Sequence, residues 1–299
     1  MIEFHADDYA MFPGESRRIL DCYHEGALNG VSVLTNSPYL NECMETLIKE
    51  APDMRLTVHI NFYEGKAISP AEQIPLLVNK EGVFDISFGR LCIASYMLPH
   101  KRNKYRAQLA KEIRAQILAL KPWCKDGFRL DGHGHYHMIP VVFDAMCDVI
   151  KEEHLKVTYV RVPREELSMY LAHWKELVGF RPLNVLKVLI LDFFAWRNKH
   201  RYPKFFSRLK KHLFVGVFFP MRYENALPLL KEGKKIVDER SERDGEEWDY
   251  EMLFHPGDIR EPDDLKQVTI DKDKGFFVSE DRKRDYEALH RLKDNYIRL

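Results

Sequence analysis

The sequence carries no excess of charge of either sign, with 46 Lys and Arg against 46 Asp and Glu and a pI near 7.2. A chain built to hold nucleic acid or another general polyanion is usually more basic, so no nucleic-acid partner is expected. Cysteine is scarce. Cys22, Cys43, Cys92, Cys124 and Cys147 are scattered, odd in number and form no C-x-x-C pair. That argues against a disulfide framework and a cysteine zinc site, and it fits a reducing, cytoplasmic compartment. Long apolar runs are also missing. The most apolar stretch, Val185 to Trp196, is interrupted by Lys187 and Asp192 and is too short to span a bilayer. The N-terminus enters the strand-like run Ile2-Glu3-Phe4-His5 at once, so no signal peptide is expected. There is no internal repeat and no low-complexity linker.

What remains is a globular composition, 45% hydrophobic and 31% charged, on a chain long enough for one α/β barrel. Short apolar runs alternate with helical periodicity through the first half. Strands are expected over Ile2–Ala6, Val31–Leu34, Leu56–Ile60, Leu130–His137 and Val157–Val162. Helices are expected over Glu15–Glu25, Tyr39–Glu50, Tyr105–Leu120 and Val141–His154. This alternation implies a parallel sheet with helical crossovers, either a barrel or an open doubly wound sheet, with its site at the C-terminal strand ends. The second half is less regular. Residues 197–212 carry seven Lys and Arg, aromatics and no acid, whereas residues 238–251 are mostly acidic. With no boundary visible, residues 1–299 read as a single domain with an insertion near 165–215.

Five short motifs carry potential chemistry. In His5-Ala6-Asp7-Asp8-Tyr9 two adjacent carboxylates follow an apolar strand. Neighbours there point in different directions, so one can bind a cation while the other accepts a proton. A surface loop or an Asp helix cap remains the plain alternative. In Leu130-Asp131-Gly132-His133-Gly134-His135-Tyr136-His137, strand alternation would place Asp131, His133, His135 and His137 on one face. Three imidazoles and a carboxylate together suggest metal ligation, with some of them supporting ligands rather than binding directly. His59, in Val58-His59-Ile60-Asn61, ends a strand and on its own reads as structural. His255, in Phe254-His255-Pro256-Gly257-Asp258, is pinned by a Pro-Gly turn, as a general acid or base or as a capped loop residue. Arg161, in Val160-Arg161-Val162-Pro163, would orient a carboxylate, grip a substrate or form an internal ion pair. In a parallel α/β fold all of these strand ends converge on one mouth.

Taken together, HADDY, VHINFYEG, DGHGHYHMIP, RVP and YEMLFHPG occur in an order that resembles the YdjC-like carbohydrate (chitooligosaccharide) deacetylase family, over residues 5–257. The resemblance implies a distorted, TIM-like (β/α) barrel and a tendency to dimerise. It implies Asp8, His59 and His133 as ligands of one divalent ion (Mg, Zn, Mn or Co), Asp7 as catalytic base and His255 as general acid. Asp131, Arg161, His135 and His137 would then support the ligands or contact the substrate. The implied reaction removes an N-acetyl group from an acetylated mono- or oligosaccharide and releases acetate. The chain departs from the family pattern at His5, where Asn is usual, at Tyr9-Ala10, where Phe-Gly is usual, and at Gly132, where Ser is usual. Two other readings fit the residues: another metallohydrolase such as a phosphoesterase, or a non-catalytic binder using 197–212 on an anionic surface. A bland account of that basic stretch is a solvated helix offset by the acidic 238–251 segment.

Overall fold

A computed structural model describes residues 1–257 and 274–296; Asp258 of the late turn motif lies outside them. Seven parallel strands form one sheet: β1 Ile2–Tyr9, β2 Gly30–Val33, β3 Arg55–Ile60, β4 Phe128–Gly132, β5 Val157–Val160, β6 His212–Val215 and β7 Asp249–Phe254. Their order is β5-β4-β3-β2-β1-β7-β6, with β5 and β6 at the edges. Read around the sheet, this is chain order, as in an α/β barrel. The curled sheet brings the two edges together. The Lys210 backbone N–H donates to the Thr158 carbonyl at 3.1 Å, and the Val162 N–H donates to His212 Nε2 at 3.0 Å. The expected distorted barrel is therefore what the chain forms.

Helices cover the outside. Among them are α1 Pro13–His24, α2 Leu40–Glu50, α3 Phe88–Ser95, α4 Pro99–Leu120, α5 Pro140–Glu152, α6 Leu167–Ala172, α7 Pro182–Arg201, α8 Pro203–Phe206 and α9 Tyr223–Asp244. Proline at the first helical position starts α1, α4, α5 and α7, where its missing N–H costs nothing. Residues between β5 and β6 supply α6, α7 and α8 in the region read as an insertion. The C-terminal helix Glu280–Tyr296 returns to pack on β7 and α1.

The strands place their apolar residues outward. Phe4, Ala6, Val31, Val33, Val58, Ile60, Leu130, Leu213, Val215, Met252 and Phe254 are buried in the core beneath the helices. The alternate residues face inward and, apart from Phe214 and Leu253, are polar: Glu3, His5 and Asp7 on β1, Ser32 on β2, His59 on β3, Asp131 on β4 and Glu251 on β7 are all buried. The barrel interior is thus filled mainly by charge and hydrogen bonds rather than by layers of branched apolar side chains.

The seam depends on one neutral imidazole. Burial pushes His212 down to about 4, so Nε2 is free to accept from Val162. A histidine whose folded pKa lies below its unfolded value of 6.5 binds its proton more readily once unfolded. Its contribution to stability is complete above about pH 6.5 and is lost as pH falls toward about 4. Denaturant titrations across that interval should show the wild type losing more stability than His212→Gln. Parallel pH curves for the two would contradict this account of the seam.

Candidate metal centre

The adjacent acids reach the mouth because β1 breaks its alternation. Its pairing with β2 shifts register between Ala6 and Tyr9, and Asp8 adopts φ 70°, as does Ala10. L-residues rarely occupy this left-handed region. The bulge turns Asp8 toward the side that Asp7 already faces. The expectation that the two acids diverge is corrected here: both carboxylates meet His59, whose Nε2 lies 3.5 Å from Asp8 Oδ1 and 3.8 Å from Asp7 Oδ2.

The histidine strand is also corrected. β4 ends at Gly132, and residues His133–Met138 form a tight 3₁₀ turn with Gly134 at φ 58° and His135 at φ 64°. The three imidazoles therefore do not share a strand face. His133 enters the mouth, and its Nδ1 lies 2.8 Å from Asp8 Oδ1. His135 is buried, lines the cavity, and has no partner at Nδ1 among the described residues. His137 turns back to hydrogen-bond the Arg161 carbonyl through Nε2 at 2.8 Å. Gly132 makes that return possible, since a Cβ there would sit 2.9 Å from His137 Nδ1 and 3.0 Å from the Ile60 carbonyl oxygen.

Asp8, His59 and His133, from three different strand ends, place one donor atom each within 4.8 Å of one another. His59 Nε2 and Asp8 Oδ2 are buried without a hydrogen-bond partner among the described residues. Such orphaned donor atoms fit a cation. The other ring nitrogen of His59 is fixed by Asp131 Oδ1 at 2.7 Å, the carboxylate–histidine arrangement that orients metal ligands. Burial works against charge on His59, but Asp131 and Asp7 carry its pKa up to about 10. Burial likewise works against charge on Asp8, yet His133 and His59 hold it well below the ordinary carboxylate range.

A second cluster, His5, Asp7 and Asp131, has similar spacing but already holds a cation. Arg161, fully buried, reaches Asp7 with Nη1 at 2.9 Å, Asp131 with the same nitrogen at 2.7 Å, and Glu251 with Nη2 at 2.6 Å. Of the roles left open for Arg161, its contacts are those of an internal ion pair that also orients carboxylates. The network continues downward. Ser32 donates to Asp131 and meets His5 Nε2 at 2.6 Å, and His5 Nδ1 meets Glu3 at 2.7 Å. Glu3 in turn binds Arg129 at 2.7 Å and Arg55 at 2.8 Å. Burial, then the charges of Glu3, Asp131 and Asp7, push Glu251 well above the ordinary carboxylate range.

His255 follows β7 with its Nε2 3.9 Å from Asp7 Oδ2, and its backbone N–H donates to Asp285 at 2.7 Å. Burial lowers its pKa, against the opposing pull of Asp7 and Asp8. Arg282 stands behind Asp8, 3.7 Å from Oδ2, and pairs with buried Glu15. All of this opens into a cavity of about 360 Å³, whose walls include Asp7, His133, His255, Tyr136 and Lys187. Several contributors were not evident from the sequence. Glu3, Ser32 and Glu251 could have been found from polar residues recurring at period two in buried strands. Arg282 and Asp285 sit on a helix whose pattern carries no such signal.

With this geometry established, comparison with known proteins places the chain. The family model of YdjC-like proteins matches residues 1–293. The chain belongs to the YdjC-like family. A carbohydrate deacetylase of Thermoanaerobacter pseudethanolicus is 27% identical over 165 residues, 54% of this chain and 61% of that protein. The human carbohydrate deacetylase is 27% identical over 164 residues, 54% of this chain and 47% of its own length. The chain thus spans about half to three-fifths of the length of these relatives. A solved structure from Enterococcus faecalis, named for cellobiose-phosphate cleavage, superposes with a TM-score of 0.66 at 18% identity, covering 99% of this chain and 93% of that one. It supports the fold alone.

The basic stretch 197–212 is neutralised in part. Arg197 and Arg201 pair with Asp144, Lys210 with Glu247, and Lys211 with Asp244 and Glu246. The acidic 238–251 segment does offset part of it. All five cysteines are free, and no helix among the described residues is long and apolar enough to cross a membrane.

Removing one partner of a buried ion network leaves its counter-charges stranded, which costs about 3–5 kcal/mol. Arg161→Met should lose stability on that scale in chemical denaturation, with the loss shrinking when Asp131→Asn is added. A loss below about 1 kcal/mol would mean the network is not the scaffold described.

Proposed function

We propose that this protein is a metal-dependent carbohydrate deacetylase that hydrolyses the N-acetyl group of an acetylated mono- or oligosaccharide and releases acetate. The observation that carries the reading is the convergence of Asp8, His59 and His133 at a cavity lined by Asp7, Asp8, His133 and His255, in a chain whose named relatives are carbohydrate deacetylases. Asp8, His59 and His133 would hold one divalent ion (Zn, Mn, Co or Mg), because a mixed set of nitrogen and oxygen donors accepts several metals. Such an ion supplies Lewis-acid polarisation of the acetyl carbonyl and acidification of water.

The chain's own residues do the rest. Arg161 grips both oxygens of Asp7 at 2.9 and 3.0 Å. That fixes the carboxylate, with Oδ2 3.9 Å from His255 Nε2, as the base for the attacking water. Its neighbour across the floor, His255, donates a proton to the departing amine. Asp285 anchors the backbone of His255, and the Phe276 ring, with its centroid 5.8 Å away, limits the imidazole's freedom. Tyr63, packed 5.6 Å from the His133 ring, and Tyr136 offer apolar wall for a sugar ring, while Asn184 and Lys187 offer donors to its hydroxyls.

Acetate release from N,N′-diacetylchitobiose, measured on chelator-stripped protein and after restoring Zn, Mn, Co or Mg, tests the proposal. Release restored by metal is expected; metal uptake without release from any acetylated glycan would overturn it. Asp7→Asn should lower turnover by about 10²–10⁴-fold while binding the same amount of metal. Loss of metal in that variant would make Asp7 a ligand instead. Asp131→Asn, which leaves the His59 ring in place but removes its orienting charge, should weaken metal binding by about 10–100-fold.

A further inference from the structure

Helix α7 has two apolar faces. One packs inward through Val188, Leu191, Phe194 and Ala195, and Asn184 and Lys187 from its first half line the cavity. The other carries Leu183, Leu186, Leu189, Phe193 and Trp196, spaced by three or four residues and between 50% and 81% exposed. Phe193 and Trp196 stack with ring centroids 6.0 Å apart. Ten of the eighteen large apolar side chains exposed among the described residues fall within residues 167–196. A patch of this kind on a protein with balanced charge marks a surface that something covers.

The chemistry around the stripe selects the cover. Where it ends, α7 runs into a stretch with no acid from residue 197 to 212. Within that stretch Lys199, Lys204 and Arg208 are exposed, and no ion pair holds them among the described residues, whereas Arg197, Arg201, Lys210 and Lys211 are neutralised within the fold. At the other end, the Lys175 ammonium lies 5.6 Å from the exposed Trp174 ring. Apolar side chains with aromatics among them, bordered by free cations, match the headgroup boundary of an anionic bilayer. A second copy of the chain would set the same cations against their own symmetry mates. From this charge complementarity we infer that the outer face of α7 docks on an anionic lipid surface, lying flat on the membrane without crossing it. The helix that contributes wall to the cavity would then also be the membrane-facing element. The docking stands independently of the deacetylase reading, since lipid binding is measured without turnover.

The test is co-sedimentation of the full chain with vesicles of phosphatidylcholine alone or with about 30% phosphatidylglycerol. Binding is expected to the anionic vesicles and to weaken with added salt. Leu186→Glu, Phe193→Glu and Trp196→Glu, combined, should abolish it without change in circular dichroism or melting temperature, because these side chains support no core. Lys199→Glu, Lys204→Glu and Arg208→Glu, combined, should weaken it by at least about a hundredfold, at roughly fivefold for each cation removed. Failure of the folded protein to bind either vesicle would overturn the inference. So would equal binding to both vesicles, or a dimer in sedimentation velocity that Phe193→Glu and Trp196→Glu dissociate.

Discussion

Arg161 carries a permanent positive charge at a point from which water is excluded, and the geometry of the site follows from how that charge is shared. Its guanidinium touches Asp7, Asp131 and Glu251 at once. Through Asp131 it acts on the orientation of His59, and through Asp7 it sets the carboxylate nearest His255. An ion network of this kind gains little net stability over a well-packed apolar interior. What it offers is direction: planar donors on a rigid fork hold carboxylates in fixed orientations, which a lysine could not do equally well. The outward faces of the same strands carry the apolar burial, so the barrel draws its stability from outside and its chemistry from inside.

Strain marks the same place. Among the described residues four non-glycine positions have positive φ, and three of them, Asp8, Ala10 and His135, flank the site. Each costs on the order of 1–3 kcal/mol, held by surrounding bonds such as Ala10 N–H to Ser16 Oγ at 2.9 Å. Ala10 stands where the family usually has glycine, the residue that would adopt this conformation without penalty. The other two family departures are also structurally placed. His5 bridges Glu3 and Ser32 inside the barrel, and Gly132 leaves room for His137 to fold back.

Much of this was legible in the sequence because strand and helix periods leave a clear trace. β1, β2, β3, β5, α1, α2 and α5 lie within a few residues of their expected bounds, and the motif residues do gather at the strand ends. What periodicity could not show was where it breaks. Period-two alternation read Asp131 to His137 as one strand, but left-handed backbone at Gly134 and His135 ended it. The same rule sent Asp7 and Asp8 apart, and the bulge brought them together. β6 is four residues long beside a charged stretch, too short to stand out. Arg282 acts on Asp8 and Glu15 across more than 250 residues of chain, and Asp285 holds His255 from a helix 30 residues further on; these are tertiary facts with no local signature.

The claim at the centre of this account is that Asp8, His59 and His133 form the cation site while Arg161 fills the neighbouring one. Anomalous scattering from crystals soaked in Zn or Mn addresses it directly. The account predicts a single strong peak within bonding distance of Asp8, His59 Nε2 and His133, with Arg161 still paired to Asp7 and Asp131. A peak among His5, Asp7 and Asp131 with Arg161 displaced, or no peak at either cluster, would contradict it.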